Sequence, residues 1–320
     1  MKKQVGEKMA GSEEKEQVNA KNFFASLQKQ VKERREAAAK LSAPEHKKAV
    51  EEELARVQKL HTENPGRYHD EVLLQGGGVE NLLKHFGRVH LSPRNGQPKR
   101  LIVVISGNNE PLTRPWDRFD SYRGTMYMFD QMTKMNMENT DIIQLKAGEG
   151  FGAPAEFHTS VALAHIQNII NDAIAGVGAF TGRTYDRARM YGFSYGAGAC
   201  ERVLEGLEKR SKDGGAIPRI ERTVYLDGVE YGTFGTALRK RSGLSQQHYH
   251  LHQKNLMDGY IPLNGNSLLA PNKSDFEMEM KRDSFDWMVQ QKVKMDHRTL
   301  HDARYNRGTF DGILAALTHG

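Results

Sequence analysis

A chain of 320 residues, 38% apolar and 27% charged, is long enough to bury a sizeable core and has the composition of a globular protein. Its single cysteine, Cys200, excludes an intramolecular disulfide framework and fits folding in a reducing compartment. The net charge of +6 is spread along the chain without a basic-aromatic motif, so nucleic acid is not an expected partner.

Met1 to Glu16 are polar and charged with no apolar core of a signal peptide, and no apolar run is long enough for a transmembrane segment. The expected location is cytoplasmic, with signal-independent export also compatible. Residues 1–66 read as a helical extension. Phe24, Leu27, Val31, Ala38 and Leu41 mark one apolar stripe, and Ser42-Ala43-Pro44-Glu45 reads as a break with a capping box. Val50, Leu54, Val57 and Leu60 mark a second stripe that ends at Asn64-Pro65-Gly66. Two amphipathic helices on a short turn predict an antiparallel hairpin, because neither buries its stripe alone. It would pack on the main domain or on a copy of itself, which leaves room for a homo-oligomer, a recruited partner or peripheral membrane contact.

Residues 67–320 alternate strand and helix patterns, which predicts an α/β domain with a mostly parallel sheet covered on both faces. Gly87–Ser92 and Lys99–Ser106 read as strands around the turn Pro93-Arg94-Asn95-Gly96, and Leu101–Ile105 is apolar throughout, as in a buried central strand. Met126, Met128, Met132, Met135 and Met137 form a patch suited to core filling or to an acyl pocket. Asp141–Leu145 reads as a strand and Ser160–Ile174 as a helix. Gly176–Thr184 has glycines but lacks the lysine and spacing of a phosphate loop.

The strand Ala188–Tyr191 then runs into Gly192-Phe193-Ser194-Tyr195-Gly196, followed by a helix with Cys200, Val203, Leu204 and Leu207 on one face. Strand, glycine-flanked serine and helix together make the context of a nucleophile elbow, with Ser194 strained outward above a helix N-terminus. Arg222–Leu226 and His248–Gln253 read as further strands, and Gly308–Leu317 as a last helix. His248, His250 and His252 share one strand face, but no acidic or cysteine ligand follows at a matching spacing, so no metal is expected. No cofactor motif is present, and none is required.

A serine nucleophile needs a base and an orienting acid, which on this architecture follow it in the order acid, then histidine. Asp227, at the end of Arg222–Leu226, and Asp258, after the next strand, compete for the acid, and Asp227 is preferred. His297 and His301 compete for the base, and His297 is preferred because it lies in a polar stretch leading into apolar Leu300. The oxyanion hole would use the backbone N–H of Tyr195 with Gly107 and Asn108 from the loop after Leu101–Ile105.

These residues resemble the α/β-hydrolase superfamily. More narrowly, Tyr185–Ala197 is similar to the elbow of the type VI secretion lipase-effector family and its uncharacterised bacterial relatives, and Ser106–Asn109, Lys146–Gly152 and Leu226–Val229 fit in order. That resemblance implies an α/β-hydrolase-type sheet, places the acid at Asp227 and implies a carboxylic-ester substrate, small or lipid. Tyr195 stands where the family has arginine, and Ser106 where it has aspartate. The expected function is a serine esterase, lipase or phospholipase working through Ser194, Asp227 and His297 and an acyl-enzyme. The alternatives are a silent hydrolase-fold scaffold recruiting a partner through its N-terminal helices, or an acyltransferase or amidase with the same triad.

Overall fold

A computed structural model describes residues 33, 36–63, 87–107, 124–148, 154–231, 238, 241–253, 276–280, 303 and 307–319. Its elements in chain order are α1 (Ala43–Glu63), β1 (Gly87–His90), β2 (Lys99–Ile105), α2 (Gly124–Lys134), β3 (Thr140–Leu145), α3 (Thr159–Ala175), β4 (Tyr185–Phe193), α4 (Tyr195–Lys212), β5 (Arg219–Leu226), β6 (Gln247–Gln253), β7 (Phe276–Met280) and α5 (Arg307–Thr318). The strands form one sheet in the order β1-β3-β2-β4-β5-β6-β7, parallel throughout except for β1. This is a sheet of α/β-hydrolase type.

Because β2 is buried on both faces, alternate residues feed two apolar layers. Leu101, Val103 and Ile105 join the layer that packs α1, α3 and α4, which holds Val50, Val57, Ile166, Ile170, Cys200 and Leu204. Ile102 and Val104 join the layer on the other face, which holds Met128, Met132, Phe310 and Leu314 from α2 and α5. Helix α2 was not expected from the sequence. It takes Met126, Met128 and Met132 into the core, while Met135 is 46% exposed, so the methionine patch is mainly core.

The strand order departs from one expectation. β1 and β2 flank the turn at Pro93–Gly96, yet β1 pairs antiparallel with β3. Buried Asp141 at the start of β3 accepts from the backbone N–H and Oγ of Ser92 at 2.8 and 2.9 Å, and Arg183 and Tyr185 also donate to it. The end of β1 is thereby tied to β3. A buried carboxylate must be paired, and this one draws three partner residues from two separate segments.

Helix α1 begins with the expected capping box, since the Ser42 N–H and Oγ reach Glu45 Oε2 at 2.8 and 2.7 Å. Its apolar stripe packs on α3. At one end the rings of His46 and His158 meet edge-on at 5.7 Å, and at the other His61 Nδ1 lies 3.8 Å from Asp172 Oδ2. The first arm of the expected hairpin lies largely outside the described residues. At the opposite end of the chain, α5 is held by arginines from the sheet. Arg189 donates to the carbonyls of Leu317 and His319 at 3.1 and 2.7 Å, Arg222 to those of Ala316 and His319, and Arg100 to that of Thr318. The positive charges sit on the negative end of the helix dipole. Among the described residues no helix is long and apolar enough to cross a membrane.

Candidate active site

Ser194 follows β4 and caps α4 with φ 53° and ψ −122°, a conformation that a non-glycine residue occupies only under strain. The flanking glycines explain how the chain tolerates it. A Cβ on Gly192 would lie 2.5 Å from the backbone of Ala197 in α4, and one on Gly196 would lie 2.1 Å from the carbonyl oxygen of Ile105 in β2. The helix can therefore press on the sheet only if both positions lack a side chain. Backbone bonds fix the strained residue from both sides, with the Ser194 N–H donating to Leu226 O and the Val229 N–H donating to Ser194 O, each at 3.0 Å.

The site lies at the carboxyl ends of the parallel strands. β2 leads through α2 to β3 on one side, and β4 leads through α4 to β5 on the other. The loops after β2 and β4 thus diverge where strand order reverses, which is the usual ligand crevice of an open α/β sheet. Gly107, in the first of these loops, touches the second: a Cβ there would meet the Phe193 ring at 2.8 Å and Ser194 Cβ at 3.3 Å. The expected oxyanion glycine is thus beside the nucleophile candidate. The N–H of Tyr195 opens α4, where helix-start amides lack intrahelical acceptors.

Asp227 follows β5 as Ser194 follows β4. Phe193 and Leu226 are register partners, so the two residues leave adjacent strands at the same level. Asp227 is fully buried with φ 49°, and its N–H donates to Leu251 O at 2.7 Å. Asn108, Asp258, His297 and His301 lie outside the described residues. Of the expected site, Ser194, Tyr195, Gly107 and Asp227 are brought to one edge of the sheet.

Gly176 takes the left-handed conformation that caps α3, and Gly178–Phe180 form a single 3₁₀ turn. His248 and His250 are buried, with His248 Nδ1 2.7 Å from Thr223 Oγ1 and its ring edge-on to Tyr225 at 4.7 Å. Among the described residues no three ligating side chains converge as a metal site. The thiol of Cys200 is buried, and burial pushes its pKa up, away from nucleophilic use.

Two further residues bear on the site: Ser106, which the sequence places in the loop after Leu101–Ile105 without a role of its own, and Tyr231, which the sequence does not single out. Ser106 is fully buried and donates through Oγ to Gly107 O at 3.2 Å. The Tyr231 ring lies edge-on to that of Tyr195 at 6.1 Å, and its hydroxyl donates to Ala147 O at 2.7 Å. No local signal identifies Tyr231, because this partner is 84 residues away in the chain.

No family model and no curated protein matches the chain. Similar solved structures include a candidate hydrolase of Agrobacterium vitis S4, at 11% identity and TM-score 0.40 over 72% of this chain and 92% of that one. DphMB1 overlaps at 14% identity and TM-score 0.39, over 72% and 81% of the two chains. A dienelactone-hydrolase-like promiscuous phosphotriesterase from metagenomic libraries overlaps at 11% identity and TM-score 0.36, over 73% and 92%. The strand order and the elbow, rather than these overlaps, carry the fold.

Proposed function

We propose that the protein is a serine hydrolase of carboxylic esters. The observation that carries the reading is the backbone of Ser194, held at φ 53° and ψ −122° against Gly107 at the strand-order reversal. A fold keeps such strain when the hydroxyl that it positions has work to do. In this reading Ser194 Oγ attacks the ester carbonyl and His297 takes its proton. Asp227 orients the imidazole and stabilises it when charged. The N–H of Tyr195 and a second donor from the Gly107–Asn108 stretch of the loop after β2 hold the oxyanion. Collapse of the tetrahedral adduct expels the alcohol, protonated by His297, and water activated by the same histidine frees the acid and the serine.

A lipid ester is the favoured substrate class, on the resemblance of Tyr185–Ala197 to lipase effectors. We divide the chain into a helical extension, 1–66, and a hydrolase domain, 67–320. The recruitment reading is weaker, because the stripe of α1 is already used: Val50 and Val57 lie in the core cluster with Ile166 and Ile169 of α3. The test is a fluorophosphonate probe on the intact chain. Labelling of the wild type with none of Ser194→Ala is expected, since loss of such a nucleophile costs about 10⁶-fold in rate. An unlabelled wild type, or equal labelling of the variant, sinks the reading.

A further inference from the structure

We propose that Tyr231 is the positioning residue of the oxyanion hole, holding the two N–H donors at their working separation. The inference rests on the serine-hydrolase reading above. Tyr231 is buried four residues beyond Asp227, on a segment that starts at the elbow through the bond from the Val229 N–H to Ser194 O. The same segment runs tight against α4, because a Cβ on Gly198 would lie 2.5 Å from Tyr231 N.

From there Tyr231 reaches both donors. Its ring packs edge-on against Tyr195, whose own N–H is one donor. Its hydroxyl sits between the carbonyl oxygens of Ala147 and Thr159, donating to the first at 2.7 Å. The other side of the Ala147 residue continues the chain: its N–H donates to Ser106 Oγ at 3.4 Å, and Ser106 Oγ donates to Gly107 O at 3.2 Å. Gly107 is the second donor's residue. One phenol therefore grips the elbow by its ring and the β2 loop by its hydroxyl, through a buried relay in which each polar group has a defined partner. Oxyanion stabilisation depends on donors fixed before the charge develops, so a residue that sets their spacing acts on the chemical step and not on ground-state binding.

The relay is tested by a double-mutant cycle between Tyr231→Phe and Ser106→Ala, read on p-nitrophenyl ester hydrolysis and on the rate of fluorophosphonate labelling. Tyr231→Phe keeps the ring and removes the hydroxyl. Each single variant should lower kcat about tenfold at unchanged KM, with labelling slowed in parallel. The double variant should lose about tenfold rather than about a hundredfold, because both substitutions cut one chain. Additive losses, a rise in KM at constant kcat, or wild-type labelling rates in both variants overturn the role of Tyr231 while leaving the hydrolase reading intact. A wild type that neither labels nor hydrolyses removes both. If Tyr231→Phe melts well below wild type, Ser106→Ala decides alone, and unchanged kcat in that variant refutes the relay.

Discussion

Gly196→Ala offers a sharp test of the elbow, because the structure gives the displacement it must cause. The new Cβ would lie 2.1 Å from the carbonyl oxygen of Ile105 and 2.5 Å from that of Ser106, both rigid backbone atoms of β2 and its loop. Ordinary contact begins near 3.4 Å, so α4 and β2 must separate by about 1.3 Å. That movement carries the N–H of Tyr195 away from Gly107 and tilts Ser194. A misplacement of about 1 Å in a reacting constellation costs roughly 100-fold in rate, and forcing a methyl into a packed interface costs about 2 kcal/mol. Second-order rate constants for fluorophosphonate labelling, with thermal melts of the same samples, measure both. Gly206→Ala is the control, since a Cβ there meets nothing within 4 Å on the same helix. It should keep full labelling and gain about 0.5–1 kcal/mol from helix propensity. Wild-type labelling and melting in Gly196→Ala would show that the close approach of helix and strand does not build the site.

Ser194→Gly should abolish labelling yet raise stability by about 1 kcal/mol, because glycine relieves the positive-φ strain, and a melt below wild type refutes the strained-elbow argument. Burial pushes the pKa of His165 down to about 3, and Arg56 adds to the shift. The native state therefore favours the neutral ring. Its stabilising effect is complete above the unfolded value near 6.5 and declines as pH falls toward 3, by on the order of 3 kcal/mol at pH 4. His165→Leu should flatten the acid limb of denaturant midpoints between pH 7 and 4, and an unchanged limb excludes this histidine as a cause. Asp172 behaves in the opposite sense: burial raises its pKa to about 7, so its ionisation weakens the native state as pH rises from about 4 through 7. Asp172→Asn should melt higher than wild type at pH 8 and not at pH 4.5, and equal shifts at both values refute the assignment. Arg189→Met removes a buried guanidinium from Glu221 and from the end of α5, and should cost about 3–5 kcal/mol in denaturant titrations. A loss under 1 kcal/mol would show that Arg100 and Arg222 hold the helix unaided.

Parts of the molecule were legible because their constraints are local. A run such as Leu101–Ile105 must be buried on both faces wherever it pairs, and Gly192 and Gly196 flanking Ser194 describe a turn that no other residues would allow. The capping box at Ser42–Glu45 is equally local. Charged residues were less legible. Lys99, Arg183 and Arg189 are buried in strands or beside them; Lys99 binds the nearby carbonyl of Pro93, while Arg183 and Arg189 bind carboxylates from distant segments. Helix α2 escaped notice because it is buried around most of its circumference and so lacks a one-sided apolar stripe, and strand β7, which pairs with β6, because it is only five residues long.

The sequence by itself determined that this chain alternates strand and helix, buries one continuous strand and bends sharply at Ser194, since each follows from side-chain size and backbone freedom within a few residues. Only the tertiary structure decided which strands are neighbours, that β1 turns from β2 to β3, and that Gly107, Ser194 and Asp227 leave the same edge of the sheet. These depend on partners such as Asp141 with Arg183, or Tyr231 with Ala147, that lie 42 and 84 residues apart. Loop closure over such lengths costs little more than over short ones, so nothing in the local sequence marks the pairing. It is fixed by the need of each buried polar group to find a partner once the core has closed.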